Sequence, residues 1–283
     1  MEAASIEICK KDDLKGFIPF IDITESGNEL IEEIEENSKE MYALSLDDKI
    51  IGLAYIDDVE DDEEPYFSIY IFKEYRNKGY ASSVLKQIEH KYEGSKAKSI
   101  TAIYGYHNVV AKNFLLKHGY TLTWASTNMQ YSGDRFEEVD LPIRQYQDED
   151  FDQAFKLSAE AFHRMRVGTG CFPNSVVSTP HEKSKEHWLK EAENEFVIDQ
   201  NGEIVGYSHL EEKGIASISI KISEQGKGLG KKFVKSMTNT IIDRGVKEPL
   251  LWCVVGNNNA RHIYDSLGYK EIYCEGFAKK KIK

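Results

Sequence analysis

The chain has 283 residues, of which 41% are apolar and 30% are charged, and its formal net charge is −12. At roughly 100–200 residues per domain, this length predicts about two domains, with enough apolar material for packed cores rather than wholesale disorder. No apolar run approaches the ~20 residues that a membrane-spanning helix needs, and the acidic charge makes a nucleic acid an unfavourable partner.

Acidic and basic side chains are unevenly distributed along the chain. Residues 1–139 hold 27 acids and 15 bases, a balance of 15 − 27 = −12, whereas residues 140–283 hold 21 of each. We therefore expect a polyanionic small ligand to bind in the neutral second half, because the acidic first half repels negative charge.

The cysteines are scattered, and the N-terminus lacks a secretion signal. No Cys-x-x-Cys pair and no Cys/His cluster with zinc spacing occurs, and the first residues have neither a basic flank nor an apolar core. These features predict a reduced, cytoplasmic protein with no metal site and no membrane association. The four cysteines are Cys9, Cys171, Cys253 and Cys274.

The chain repeats itself once. The segment Ser68–Ala81 matches Ser217–Gly230 at an offset of 217 − 68 = 149 residues, and the same offset carries Asn108 to Asn257. A constant offset over about 50 residues indicates two copies of one fold.

Two domains follow from this repeat. They are predicted to span residues 1–135 and 140–283, because the polar and charged stretch Gly133–Asp140 has the composition of a linker. The first copy has shorter early helices and a longer turn at Asp57–Pro65. Seven of the eight residues in Asp57–Glu64 are acidic, which is typical of a solvated turn, with a docking site for a cationic partner as the alternative.

The second copy alternates between strand and helix patterns. Asn201-Gly202 between two strands predicts a hairpin. Hairpins early and a helical crossover later predict an α/β architecture in each copy, with a mixed, mostly antiparallel sheet flanked by helices. The predicted strands are Leu141–Tyr146, Phe196–Asp199, Glu203–Leu210, Ile215–Ile222, Leu250–Val255, Tyr269–Cys274 and Phe277–Lys281. The predicted helices are Asp150–His163, Glu182–Asn194, Gly228–Arg244 and Asn258–Leu267.

A short loop joins the predicted central strand to the next helix in each copy. It reads Gln225-Gly-Lys-Gly-Leu-Gly230 in the second copy and Arg76-Asn-Lys-Gly-Tyr-Ala81 in the first. Successive N–H groups at a helix start form an anion site suited to a pyrophosphate. A Walker A loop and a dinucleotide fingerprint both fail, because Lys231 and Lys232 occupy positions where those motifs need other residues. The pattern Arg/Gln-x-x-Gly-x-Gly/Ala fits both copies.

In this context the chain resembles the GCN5-related N-acetyltransferase (GNAT) superfamily. In each copy the loop stands between a strand and a helix, and it is followed by Asn-x-x-Ala and then by Gly-Tyr. The resemblance covers nearly the whole chain and implies two tandem acyl-CoA N-acyltransferase folds with acetyl-CoA as co-substrate. It also implies that the pantetheine lies in a gap beside the central strand, where a backbone N–H near Ile220 polarises the thioester carbonyl.

The resemblance implies a set of CoA-binding residues in each copy. In the second copy they are Ile220, Lys221, Ile222, Gln225, Gly226, Lys227, Gly228, Leu229, Gly230, Lys231, Asn257, Ala260 and Arg261. A second candidate CoA site in the first copy consists of Ile71, Arg76, Asn77, Lys78, Gly79, Tyr80, Ala81 and Asn108.

One position distinguishes the two copies chemically. In this superfamily the helix after the fifth strand often carries a tyrosine that protonates the departing CoA thiolate. Tyr264 takes that position in the second copy, whereas Leu115 takes it in the first, and leucine has no proton to donate. The resemblance therefore implies catalysis in the second copy, with Tyr264 as general acid, and a non-catalytic first copy. A core tyrosine packed on the sheet is the alternative interpretation of Tyr264.

The general base and the acceptor are left open by the sequence. His209 and Glu211, on or just after the strand that precedes the central one, are candidate bases without a diagnostic spacing. The segment Phe162–His187 is expected to set acceptor specificity. Within it, Arg164 and Arg166 are candidates to bind an acceptor carboxylate, and an ordinary surface loop is the alternative.

The resemblance implies an enzyme that moves an acetyl group from acetyl-CoA to a primary amine of a small molecule or protein. The transfer is expected to be direct, in a ternary complex. Two other hypotheses stay open: a CoA-binding sensor module without catalysis, and an aminoacyl transferase of the same doubled fold. The expected partner is a small-molecule or peptide amine rather than a nucleic acid or a membrane.

Overall fold

The computed structural model describes residues 7–10, 14–22, 30–31, 34–35, 41–57, 64–172, 174–180 and 182–282. The chain divides into two compact units, Met1–Ala125 with Tyr273–Lys283 and Ser126–Ile272. The strands are β1 (Glu7–Lys10), β2 (Met41–Leu46), β3 (Lys49–Asp57), β4 (Tyr66–Ile71), β5 (Ser99–Gly105), β6 (Thr121–Gln130), β7 (Ile143–Gln145), β8 (Glu195–Gln200), β9 (Glu203–Leu210), β10 (Gly214–Ile220), β11 (Leu250–Val254) and β12 (Lys270–Lys281). The helices are α1 (Tyr80–Tyr92), α2 (Val109–Lys117), α3 (Phe151–Thr169), α4 (Glu182–Lys190), α5 (Leu229–Asp243) and α6 (Asn258–Leu267).

The sheet of the first unit changes from antiparallel to parallel pairing at its centre. β1, β2, β3 and β4 pair antiparallel in that order, and β4 then pairs in parallel with β5. Glu275–Lys281 of β12 lies antiparallel on the other side of β5. Val84, Leu85 and Ile88 of α1 are buried in the core on this sheet, because their helical spacing places them on one face.

The second unit repeats this plan. β7, β8, β9 and β10 pair antiparallel, β10 pairs in parallel with β11, and Ser126–Gln130 of β6 lies antiparallel to β11. Neighbouring residues of a strand point to opposite faces. Accordingly, Ile198 packs into a core with Phe233 of α5, whereas Val197 packs into a second core with Phe151 of α3. Helices therefore cover both faces of this sheet.

The predicted mixed sheet flanked by helices is confirmed, and the hairpin between β8 and β9 turns at Asn201 and Gly202, both with positive φ. Several element ends differ from the prediction. α3 continues to Thr169, past the predicted end at His163, and it ends where Gly170 adopts φ 70°. α4 ends at Lys190, and a 3-10 turn at Ala192–Asn194 leads into β8. The two predicted final strands form the single strand β12.

The compact units differ from the predicted ranges 1–135 and 140–283 through their last strands. β6 runs without a break through Ala125, and its later residues belong to the second unit, whereas the later residues of β12 belong to the first. Strand propensity is local, but the choice of pairing partner is made by long-range contacts. The local sequence pattern therefore does not predict that the last residues of β6 and of β12 belong to different units.

The stretch predicted as a linker is held by hydrogen bonds within the second unit. The backbone of Phe136 is bonded at both its N–H and its carbonyl by the Asn239 side chain of α5, at 2.8 and 3.0 Å. Arg135 pairs with Asp243 at 3.0 Å. This stretch is therefore a packed portion of the unit rather than a free connector. The acidic turn of the first copy lies outside the described residues from 58 to 63.

We expect that ending the chain after Ile272 will destabilise the first unit selectively. The deletion removes buried Phe277 and Ala278 and leaves the edge of β5 unpaired, which costs on the order of 3–5 kcal/mol. Hydrogen exchange should then show loss of protection at the β5 amides while the β9 amides stay protected. Removal of Lys283 alone is the control, and equal protection of β5 in both truncated chains would contradict the assignment of β12 to this unit.

Candidate functional site

Two neighbouring parallel strands separate early in the second unit. β10 and β11 pair only at Gly214 with Leu250 and at Ile215 with Leu251. β10 then continues to Ile220, paired with β9 on its other side. Ala216, the first residue beyond the parallel pairing, is exposed. The two strands thus leave a gap in which unpaired backbone groups can bind an extended ligand.

The loop after β10 has backbone geometry that suits an anion. A 3-10 turn at Ile222–Glu224 follows the strand, and the Gln225 side chain donates to the Ile220 carbonyl at 3.0 Å, which ties the loop to the strand end. Gly226 and Gly228 have φ of 79° and 85°, which glycine adopts without strain. Gly228 is the N-cap of α5 and supplies no side-chain cap. The first N–H groups of α5 are therefore free to bind phosphate oxygens.

The first unit has a loop of the same geometry. Arg76 Nε donates to the Ile71 carbonyl at 2.8 Å, as Gln225 does in the second unit, and Gly79 has φ 85° at the N-cap of α1. Arg76 also pairs with Asp22 at 2.6 Å. β4 and β5 share only two parallel residue pairs, so a gap follows there too. Within the second candidate CoA site, Ile71 and the loop residues 76–81 therefore follow one another at the end of β4, whereas Asn108 follows β5.

Several cations around the second loop already have acidic partners. Lys221 pairs with Glu203, Lys227 with Glu224 at 2.8 Å, and Arg261 with Asp265 at 3.0 Å. Lys231, in the first turn of α5, forms no ion pair with a described residue. Lys231 can thus bind a phosphate without first giving up a partner.

Tyr264 lies on α6, the helix that follows β11, and it is buried in the core of the unit. Burial raises the pKa of Tyr264 above its ordinary value, and the neighbouring Cys253 and Tyr269 raise it further. Its hydroxyl forms no hydrogen bond within the described part of the chain. A protonated hydroxyl without a hydrogen-bond partner is chemically able to donate a proton. At the equivalent position of the first unit, Leu115 is buried in the core.

Both asparagines of the candidate sites begin a helix. Asn257 Oδ1 accepts from the Ala260 N–H at 3.4 Å, and Asn108 Oδ1 accepts from the Ala111 N–H at 3.0 Å. The repeated Asn-x-x-Ala spacing is therefore a helix N-cap. It sets the start of the helix that carries Tyr264 or Leu115.

A row of polar side chains crosses three strands beside the gap. Glu195 of β8 is opposite His209 of β9, and His209 is opposite Ser217 of β10, so the three side chains share one face of the sheet. His209 Nδ1 lies 2.9 Å from Glu195 Oε1, and the side chains are 21% and 2% exposed. When the ring is protonated, this contact is an ion pair.

Acidic neighbours raise the pKa values of His209 and Tyr207. The contact with Glu195 raises the pKa of His209, burial opposes that rise, and the charges of Glu211 and Glu191 add to it. Burial raises the pKa of Tyr207, as does Glu195, whereas the hydrogen bond with Ser217 lowers it. The sequence predicts His209 as a candidate base but does not predict its partner Glu195. The sequence signal that could have identified Glu195 is an acidic residue at the start of a predicted strand, two positions before the buried Val197 and so on the same face of the sheet.

The remaining candidates are spread along the second unit. Glu211 is exposed in the turn after β9. Arg164 and Arg166 lie on α3 rather than in a loop, and neither pairs with a carboxylate among the described residues. Thr169, at the end of α3, lies beside Gly256, since a Cβ built on that glycine would be 3.5 Å from the threonine Cβ. The segment that follows α3 therefore begins next to the end of β11. His181 lies outside the described residues.

Two absences concern only the part of the chain that the structure describes. There, no group of three or more His, Cys, Asp or Glu side chains is arranged to hold a metal ion. Among the helices of the same residues, none has the length and apolar character to cross a membrane.

Two family models match the chain. The acetyltransferase (GNAT) family model matches residues 11–120, and the FR47-like protein model matches residues 201–278. No curated protein matches the chain significantly.

Solved structures of this fold match the chain over nearly its whole length. A GCN5-related N-acetyltransferase from Sphaerobacter thermophilus is 15% identical, with a TM-score of 0.68, and the match covers 98% of this chain and 96% of that one. A tandem GNAT protein from the clavulanic acid biosynthesis pathway is 9% identical, with a TM-score of 0.58, and the match covers 99% of each chain. At these identities the likeness establishes the fold.

We expect Gly228→Ala to lower the free energy of unfolding by about 1 kcal/mol, because the alanine Cβ is strained at φ 85°. Urea denaturation measures this change. Gly230→Ala is the matched control: this glycine is in α5, and its added Cβ would contact Ile263 at an ordinary 3.5 Å. An equal loss of stability in both variants would mean that the left-handed conformation of Gly228 is not the cause.

Proposed function

The chain belongs to the GCN5-related N-acetyltransferase superfamily as a two-domain member, and we propose that it transfers an acetyl group from acetyl-CoA to a primary amine. The acceptor is a small molecule or a protein, and the transfer is direct, within a ternary complex. The proposed chemistry takes place in the second unit. The observation that carries this proposal is the combination of the strand gap, the glycine loop and the buried Tyr264 on α6, at the position where the first unit has Leu115.

The residues of the second unit suit an acyl-CoA. The free N–H groups at the start of α5 are arranged to bind the pyrophosphate, and Lys231 adds a cation beside them. The separated edge of β10 offers backbone groups to the extended pantetheine arm. The CoA thioester supplies an activated acetyl group, and we propose that a backbone N–H near Ile220 polarises its carbonyl. We propose that Tyr264 then donates a proton to the sulfur that leaves.

We propose that the first unit has no catalytic activity, although it has the loop. Arg76, Asn77 and Gly79 hold the loop in the same conformation as in the second unit. Leu115 replaces the tyrosine, so the unit lacks the proton donor. In this proposal it binds CoA without turning it over, or it serves the second unit structurally.

Two alternatives belong to other classes of function. A CoA-binding sensor would use the loops and would need no catalytic group. The hydroxyl of Tyr264, which forms no hydrogen bond with a described residue, disfavours that function because a sensor would not need a proton donor there. An aminoacyl transferase of the same doubled fold would not depend on the pyrophosphate loop, which both units have kept. No disulfide bond joins Cys171, Cys253 or Cys274, which fits the cytoplasmic location that we propose for the enzyme.

The first prediction concerns binding. Calorimetric titration with acetyl-CoA should give a site in the wild-type chain that Gly228→Asp abolishes, because a carboxylate at the helix start repels the pyrophosphate. Gly79→Asp is the matched control, since Gly79 has the same φ in the first unit. A single site that survives in Gly79→Asp places binding in the second unit, whereas two sites mean that both loops bind. Absence of binding at millimolar acetyl-CoA would overturn the proposed function.

The second prediction concerns turnover. Tyr264→Phe should lower kcat roughly 10²-fold, with little change in acetyl-CoA affinity, because the general acid is lost while the binding loop is intact. Steady-state kinetics with a panel of primary amines measure both quantities. In the control Tyr269→Phe, a neighbouring buried hydroxyl that contacts Thr238 at 2.7 Å is removed. We expect that control to lose about 1 kcal/mol of stability and to keep its kcat. An unchanged kcat in Tyr264→Phe would remove the residue from this role.

A further inference from the structure

We propose that His209 takes the proton from the acceptor amine, and that buried Glu195 is the positioning residue that holds the His209 ring for this task. The inference rests on the proposed acetyl transfer and assigns the base that the sequence left open between His209 and Glu211. Three observations carry it: the place of His209 beside the strand gap, the orientation of its ring and the burial of Glu195.

His209 lies on β9, one strand away from the start of the gap. Its cross-strand neighbour is Ser217, which is two residues beyond Ile215, the last residue of β10 that pairs with β11. Residues directly opposite in an antiparallel pair have Cβ atoms about 5 Å apart. The imidazole is therefore next to the segment of β10 that faces an acyl group in the gap. Glu211, in contrast, is exposed in the turn beyond the strand.

The contact with Glu195 orients the imidazole. Nδ1 is the ring nitrogen that lies 2.9 Å from the Glu195 carboxylate, so the proton of the neutral ring is favoured on Nδ1. Nε2 is then the basic nitrogen, and it forms no hydrogen bond with any described residue. The ring thus presents an unoccupied acceptor for a proton from a ligand.

The buried carboxylate favours the protonated ring. Glu195 is 1% exposed, and its Oε2 has no hydrogen-bond partner among the described residues. The titratable groups that face the pair are Glu191 before β8, Glu211 after β9, Tyr207 on β9 and Tyr146 after β7. The charged members of this set are all acidic. A proton on His209 therefore compensates negative charge that burial has removed from water.

The proposed step balances in protons and electrons. The amine nitrogen forms a bond to the acetyl carbon, and the carbon–sulfur bond breaks with its electron pair left on sulfur. One amine proton moves to Nε2 of His209, and Tyr264 gives one proton to the sulfur. His209 then releases its proton to solvent, and Tyr264 regains one from solvent, so the products are the amide and the free thiol.

The experiment is a pH profile of kcat/KM for the full-length wild type, Glu195→Gln and His209→Asn. The wild-type acid limb should lie above pH ~6.5, the ordinary histidine value. In Glu195→Gln the limb should move down by about 1 pH unit, since the opposite charge is lost, and the plateau should fall. His209→Asn should lose the limb and about 10²-fold of the plateau. Glu195→Asp retains the charge and should keep the limb near its wild-type position.

Glu193→Gln is the matched control. It removes the same charge two residues away at an exposed position, and its profile should follow the wild type. An unshifted limb in Glu195→Gln, or a His209→Asn plateau within twofold of the wild type, would overturn the proposal. If Glu195→Gln does not fold, the wild-type His209 ring is titrated by NMR, and a midpoint at or below pH ~6.5 overturns it as well.

The same NMR titration separates this inference from the proposed function. If the wild type acetylates no amine in the panel, the proposed function is wrong and the catalytic component of the inference is wrong with it. The NMR titration still tests the pairing of His209 with Glu195 in that case, because it needs no turnover. A His209 midpoint above pH ~6.5 in the wild type that falls in Glu195→Gln supports the pairing. If the wild type is active but the midpoint does not respond to Glu195→Gln, only the inference is wrong.

Discussion

The early separation of β10 from β11 is the constraint on which the second unit depends. The strands are joined at Gly214, where an added Cβ would be only 2.2 Å from the Leu250 carbonyl oxygen, and their pairing ends after Ile215. A close approach at one end and a gap at the other expose backbone groups that a regular sheet would pair. The glycine loop follows the free end of β10, α6 follows β11, and His209 lies opposite Ser217, just beyond the point of separation.

The two units share the backbone geometry of the loop, but they differ in the side chain that could donate a proton. Arg76 and Gln225 are different residues, yet each donates to a carbonyl five residues back and so fixes the loop to its strand. A hydrogen bond of this kind needs only a donor at the correct distance, so either side chain serves. Proton donation needs a specific group, and the change from Tyr264 to Leu115 removes it. A doubled fold can thus keep two similar loops while one unit retains the proposed catalytic group.

Local features of the site were predictable because they depend on few neighbouring residues. Positive φ at Gly228, the hairpin at Asn201-Gly202 and the start of α6 all follow from rules that act within one or two turns of chain. Those same rules give Asn257 a second interpretation, as a helix cap, beside its predicted place at the CoA site. The pairing of Glu195 with His209 joins residues 14 positions apart across two strands, and its meaning depends on burial that no local pattern records.

The sequence alone determined the doubled α/β plan, the two glycine loops and the tyrosine that distinguishes the copies, because repeats, glycine positions and residue identities are written in the chain. The tertiary structure decided the rest. It assigned the last residues of β6 and β12 to different units, extended α3 to Thr169, and brought a buried carboxylate against a partly exposed histidine. Strand pairing and burial are set by contacts between distant segments, and the free energy of those contacts is a property of the folded chain rather than of any short stretch of it.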